Sequence, residues 1–252
     1  MKRLLFILLV IIVFSVSVAN NNSNPKNIIM GLTKRGTIQP GDLRYKVYLL
    51  GVLPIGEAIF GIERMEEYNG KKIYHLHAVA QSLKVFSKFF SGSALLDSYV
   101  NTEELNPIVF KQKIIISGKK DIDREVIYDQ KNGVMSMAGV KRQILPNTQD
   151  PLSAMLNFKR MDFNKVREFE MNINTNQKNY ILKGITTQQD IIINKKTYRI
   201  VLAKAEIKRR DKNPYHKSNI SMVLLNEKEN IPILIKVFSS GILINAKLVD
   251  IK

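Results

Sequence analysis

Two histidines stand two residues apart at His75 and His77. On a strand that spacing puts both rings on one face, where a pair of imidazoles can chelate a metal. A third ligand would have to come from His216 or a carboxylate such as Glu57, and no spacing fixes it. Tyr74, Leu76, Ala78 and Ala80 form the more apolar side of the same segment. The histidines therefore face solvent or a lumen, and no metal site is assigned. Asp150 and Ser153 pair an acid with a hydroxyl. No glycine-flanked elbow surrounds Ser153, so the hydrolase motif is missing. An aspartate that caps a helix explains the pair better. Asp121, Asp123 and Glu125 alternate as calcium ligands can, without the glycine and terminal glutamate of a calcium loop. They read as a charged hairpin edge. No catalytic residue, metal ligand or cofactor is assigned, and the ligand-binding residues are left unassigned.

The elements that must position these groups are mostly strands. Leu43, Tyr45, Val47 and Leu49 alternate with polar neighbours. Phe169, Met171 and Ile173 do the same, as do Ile220, Met222 and Leu224, and Ile242, Ile244, Ala246 and Leu248. A period of two sets one face on a core and the other in water. Similar runs lie near 57–64, 73–80, 108–117, 124–129, 133–138, 179–185, 197–208 and 232–238, about a dozen strands in all. Asn69-Gly70, Asn132-Gly133, Asn194-Lys195-Lys196 and Ser239-Ser240-Gly241 punctuate them as turns. Few connections have room for a crossover helix, so the sheet is antiparallel.

One segment departs from this period. Asp150-Pro151 opens Leu152 to Arg160, with Leu152, Met155 and Leu156 on one helical face. Asp150 suits the N-cap, Pro151 the first turn, and Lys159 and Arg160 the C-terminal end of the dipole. A second short helix or loop is expected near Leu83 to Phe90. Asp97, Asp129, Asp150 and Arg160 are expected to link strands and helix through buried polar contacts, carboxylate–guanidinium pairs among them. The fold class is all-β: a large curved antiparallel sheet, a half-barrel or open barrel, with one short helix.

The chain opens on a basic Lys2-Arg3, an apolar run from Leu4 to Phe14 and small residues to Ala19. This is the layout of a cleavable signal peptide over 1–19, cut after Ala19. Retention as an anchor is disfavoured, because a spanning helix needs roughly 20 apolar residues. Residues 20–40 read as a flexible leader and 41–252 as a single β-rich domain. The expected location is the periplasm or outside the cell. No cysteine is present. That excludes disulfides, a disulfide-linked partner, thiolate chemistry and acylation at a lipoprotein cysteine. The formal charge is +17, and losing Lys2 and Arg3 with the signal lowers it by two, to +15. So basic a surface attracts anionic partners. A lipid, a glycolipid or an envelope protein fits an exported chain; nucleic acid does not.

A set of residues running almost end to end resembles a known family. They include Gly41-Asp42-Leu43-Arg44-Tyr45, Gly51, Gly56-Glu57-Ala58 and Asp97-Ser98-Tyr99. Leu105-Asn106-Pro107 with Phe110, and Tyr128-Asp129, follow. The clearest stretch is Asp150-Pro151-Leu152-Ser153-Ala154, with Arg160 beyond it. Leu225-Asn226-Glu227, Ile231-Pro232-Ile233 and Gly241 through Leu248 complete the set. The chain resembles the exported bacterial proteins grouped as domain of unknown function 3108. It departs from them at Leu156-Asn157-Phe158, where an aromatic pair is usual, and in having no tryptophan near Leu224 to Glu227. The resemblance implies a β-rich periplasmic or envelope protein and brings no catalytic residues. The expected function is non-catalytic binding or carriage of an amphipathic or anionic envelope ligand. An assembly protein docking by a strand edge is the alternative, and a hydrolase a more distant one. An open apolar concave side would favour the carrier, a filled one a scaffold.

Overall fold

The computed structural model describes residues 24–26, 28–29, 42–86, 91–175, 177–210 and 218–251, the side chains of Glu63 and Arg64 excepted. The expected signal peptide, its cleavage point, most of the leader, Gly41 and His216 lie outside these residues. Within the leader, Pro25, Lys26, Ile28 and Ile29 are helical, and Ile29 is fully buried in the core.

The first eight strands are β1 (Leu43–Leu49), β2 (Leu53–Tyr68), β3 (Lys71–Ser82), β4 (Gly92–Asn101), β5 (Pro107–Ile116), β6 (Ile122–Asp129), β7 (Val134–Met137) and β8 (Val140–Gln143). The helix α1 (Pro151–Arg160) follows. Six more strands complete the chain: β9 (Glu168–Thr175), β10 (Lys178–Ile193), β11 (Lys196–Arg209), β12 (Ser218–Asn226), β13 (Asn230–Ser239) and β14 (Ile242–Ile251). All fourteen form one sheet in the order β8-β7-β6-β5-β4-β3-β2-β1-β14-β13-β12-β11-β10-β9. Two meanders therefore run in opposite directions from the central β1–β14 pair, which is antiparallel.

The turns are those their residues allow. Asn69 and Gly70 (φ 50° and 73°) close β2–β3, and Ser240 and Gly241 (52° and 81°) close β13–β14. Asn194 and Lys195 (50° and 64°) close β10–β11, with Lys195 carrying the less favourable left-handed backbone. Lys84–Phe86 is a single 3-10 turn where a short helix or loop was expected. Two strands carried no clear sequence signal. In β4 the outward Leu95 hides the alternation of Ala94, Leu96, Ser98 and Val100, and β8 is exposed throughout.

Alternation is visible across the strands as well as along them. Val47, Ala246, Ile235, Met222, Ala203 and Thr186 pair in one cross-strand row, and all six are buried. The adjacent row on the opposite face runs Tyr48, Asn245, Lys236, Ser221, Lys204 and Ile185.

The sheet curls without closing. In a flat sheet β4 and β9 would lie nine strands apart, about 43 Å at ~4.8 Å per strand. Yet α1, about 15 Å long, packs against β3 and β4 on one side and β9 and β13 on the other. No ladder joins β8 to β9; the sheet is open. Polar contacts staple the opening instead. Asn179 Nδ2 donates to Gln143 O (2.9 Å), Arg142 Nε to Gln177 Oε1 (2.9 Å), and Asn172 Nδ2 to Pro146 O (2.8 Å). Gln149 exchanges main-chain bonds with Asn172 O and Asn174 N, which occupies the outer edge of β9.

Helix α1 fills the core-facing side. Leu152, Leu156 and Phe158 are buried, and Phe158 meets Phe169 edge to face at 4.9 Å. Each such side chain stabilises the fold by roughly 1.5–3 kcal/mol. The concave side is thus filled, the outcome that counts against an interior carrier and toward a scaffold.

Candidate functional site

Asp150 is the N-cap of α1, as its place before Pro151 requires. Its Oδ1 accepts from Leu152 N (2.7 Å) and Ser153 N (3.0 Å), and Ser153 Oγ returns a bond from Asp150 N (2.9 Å). Ser153 is thus consumed in a capping box. The second carboxylate oxygen accepts from Ser98 Oγ of β4 at 2.5 Å. Burial pushes the Asp150 carboxyl up from 3.8 to about 6, against the pull of these bonds. Tyr128 is buried nearby, its phenol raised by burial and then by the Asp150 charge. The other end of α1 is held by Asn230 of β13. Its Nδ2 faces the carbonyls of Phe158 (3.3 Å), Lys159 (3.3 Å) and Met161 (2.7 Å). Lys159 pairs with Glu229 at 3.1 Å. Arg160 stacks its guanidinium on Tyr74 at 4.3 Å rather than on a carboxylate. Leu152 and Ala154 are buried beside the cap, and Pro151 is half-buried. The Asp150-Pro151-Leu152-Ser153-Ala154 stretch and Arg160 thus lie together along the helix.

The remaining candidates separate. His75 and His77 project from the face of β3 opposite Leu76, which is fully buried. His75 Nε2 lies 2.9 Å from Asp97 Oδ1, and the ring stacks on Tyr99 at 4.5 Å. His77 Nε2 lies 3.8 Å from Asp42. Glu57 sits opposite Gln81, well along β3 from both rings. Asp123 and Glu125 of β6 oppose Lys113 and Lys111 of β5. The Glu125–Lys111 pair, at 3.1 Å, raises the lysine above its ordinary pKa. Asp129 accepts from Asn132 in the β6–β7 turn. Among the described residues no group of three or more acidic or histidine side chains could hold a metal ion.

A groove that no sequence pattern announces lies on the outer face of β10–β14. Its volume is about 710 Å³, within the usual range of ligand sites. Lys183, Lys204 and Lys236 supply cations, and Ile185, Phe238 and Leu243 supply apolar surface. Ile185 is 53% exposed and Phe238 46%, so both offer apolar surface to the groove. Glu206, also in the groove, is bound by Lys208 at 2.8 Å. Lys204 and Lys236 make no ion pair or hydrogen bond among the described residues. Beside them Lys247 lies over Tyr48 at 4.7 Å, its pKa lowered by burial and by the Lys236 charge. Outward lysines are ordinary in strands. Only the pairing register brings these into one place.

The architecture is that of an open, barrel-like antiparallel sheet wrapped on helix α1, with a polar helix seat and no assembled catalytic centre among the described residues. A sequence profile of the family described as "Protein of unknown function (DUF3108)" matches residues 44–242, and the chain belongs to that family. No curated protein matches its sequence. Among solved structures, a β-barrel-like protein of the domain of unknown function DUF1849 from Brucella abortus is similar at a TM-score of 0.54. Identity is 10%, over 84% of this chain and 96% of that one, so the likeness is one of fold. A candidate lipoprotein from Parabacteroides distasonis aligns over 85% of this chain and 96% of its own, at 10% identity and a TM-score of 0.31.

Proposed function

We propose that the protein is an exported, non-catalytic binding protein of the cell envelope that takes an amphipathic, anionic ligand on the outer face of its sheet. One observation carries this reading. The core-facing side is packed by α1, whereas the outer groove is open and joins apolar side chains to Lys204 and Lys236, which make no ion pair among the described residues; Lys183 pairs with Glu170 at 3.9 Å. Such a surface suits a ligand with an acidic head and a greasy tail. Export rests on the signal-like residues 1–19.

Assembly through a strand edge has less support. Gln149 already occupies the outer edge of β9. The four-residue β8 carries Lys141 and Arg142, charges that discourage strand addition. Catalysis has less still, since Ser153 is spent on the cap and His75 is matched to Asp97 beneath Tyr99.

The test is binding by the delipidated, refolded mature chain. Native mass spectrometry after incubation with total envelope lipid is expected to retain anionic lipid, and a fluorescent fatty acid is expected to be taken up. Retention of no lipid, with no fluorescent uptake, would overturn the reading.

A further inference from the structure

Lys204, Ser221 and Lys236 are consecutive members of one cross-strand row on β11, β12 and β13. Neighbouring strands are about 4.8 Å apart, so the two lysine Cα atoms lie about 10 Å from each other with the serine between them. Each lysine stem can lean inward by several ångströms, and both ammonium groups can then reach a point above the Ser221 hydroxyl. None of the three side chains is engaged in a hydrogen bond or ion pair among the described residues. In the neighbouring row Phe238 pairs with Leu243, an apolar step directly beside Lys236.

We propose that Lys204, Ser221 and Lys236 clamp the phosphate of a lipid head group, with Phe238 and Leu243 receiving the start of its acyl chain. The proposal rests on the outer-face binding reading and names the ligand chemistry of that same groove. Three donors around one point match a tetrahedral phosphomonoester, whose three terminal oxygens can each take one. A carboxylate offers only two oxygens in one plane. The nearest acid does not compete for the lysines, because Glu206 is already held by Lys208. Glu168 belongs to the same row, two strands from Lys204 across Ile185 and four from Lys236, so it bears on one side of the clamp only. The charge of Lys236 also bears on Lys247, so a bound dianion would offset the repulsion between them.

The experiment is co-sedimentation of the mature chain with phosphatidylcholine vesicles doped with phosphatidate, or with oleate to the same surface charge. The wild type is expected to prefer phosphatidate by about tenfold, as one additional charge-assisted hydrogen bond would give. K204Q/K236Q is expected to lose about thirtyfold in affinity for phosphatidate, from removal of two surface cations. S221A is expected to lose the preference while keeping most of the binding. K71Q/K72Q, two exposed lysines at the far end of β3, is expected to bind as the wild type does. Inorganic phosphate is expected to displace phosphatidate vesicles more than chloride does at equal ionic strength.

Equal binding to oleate and phosphatidate would overturn the phosphate clamp while leaving outer-face binding intact. Wild-type affinity in K204Q/K236Q would overturn the clamp at this place. Should that double variant lose its strand signal in circular dichroism, S221A and the phosphate competition decide the matter. No binding to either vesicle would remove the clamp and the underlying reading together.

Discussion

Ser98 Oγ donates to Asp150 Oδ2 across 2.5 Å, joining β4 to the first turn of α1 deep in the core. At the other end, Asn230 of β13 collects the helix's last carbonyls. A ten-residue helix is thereby pinned to both meanders of the sheet. The open sheet keeps its curl because its two halves share this one helix and the staples beside it.

Stability is expected to depend on pH through Asp150. Its carboxyl rises from 3.8 to about 6 in the folded chain, chiefly through burial. Between about pH 4 and pH 6 the native state keeps a proton that the unfolded state has lost, so stability falls as pH rises through this window. The fall is on the order of 3 kcal/mol. Urea unfolding from pH 4 to pH 7.5 measures it. D150N keeps a cap acceptor and is expected to flatten the step, whereas D150A removes the cap and costs about 1–2 kcal/mol.

S98A removes the strongest of the bonds that hold the Asp150 carboxyl down. The titration step is expected to move to higher pH. The loss of a buried hydrogen bond costs about 1–3 kcal/mol at neutral pH. The same urea series, compared with wild type, separates the shift from the loss.

At the C-terminal end of α1, N230A strips a donor from the carbonyls of Phe158, Lys159 and Met161. The expected cost is about 1–3 kcal/mol. N230D is expected to be worse than N230A, because a carboxylate there faces carbonyl oxygens. Thermal unfolding of the two variants gives the order directly.

Gly184 lies mid-strand in β10. A Cβ there would strike the Lys204 carbonyl, the Phe169 ring and the Ala205 methyl. The carbonyl belongs to the β10–β11 ladder and cannot step aside. G184A is therefore expected to destabilise the chain by about 1–3 kcal/mol, read as a lowered midpoint in urea. At Gly70 a methyl group meets nothing within 4 Å, and only the left-handed backbone (φ 73°) resists it. G70A is expected to cost about 1 kcal/mol.

The sheet was legible because its residues alternate. Leu43-Tyr45-Val47 and Ile242-Ile244-Ala246 mark their own faces, and Asp150-Pro151 marks where the helix interrupts them. β4 escaped notice because Leu95 points outward and Ser98 points inward, the reverse of a simple hydrophobic pattern. Ser98 is inside to serve Asp150, a need that one strand's residues cannot reveal. The expected carboxylate–guanidinium link failed for a similar reason. Arg160 emerges opposite Tyr74, and the aromatic face takes it. The groove was invisible because Lys204 and Lys236 lie 32 positions apart in sequence and meet only through the register of β11, β12 and β13.

Photo-crosslinking with a diazirine-bearing anionic lipid tests the central claim most directly, because it reports which side of the sheet the ligand touches. Adducts are expected on peptides carrying Ile185, Phe238 and Leu243, and F238S is expected to weaken them without lowering the unfolding midpoint, since Phe238 is 46% exposed. Adducts concentrated on α1, at Leu152 or Leu156, would contradict the claim and place the ligand inside the sheet.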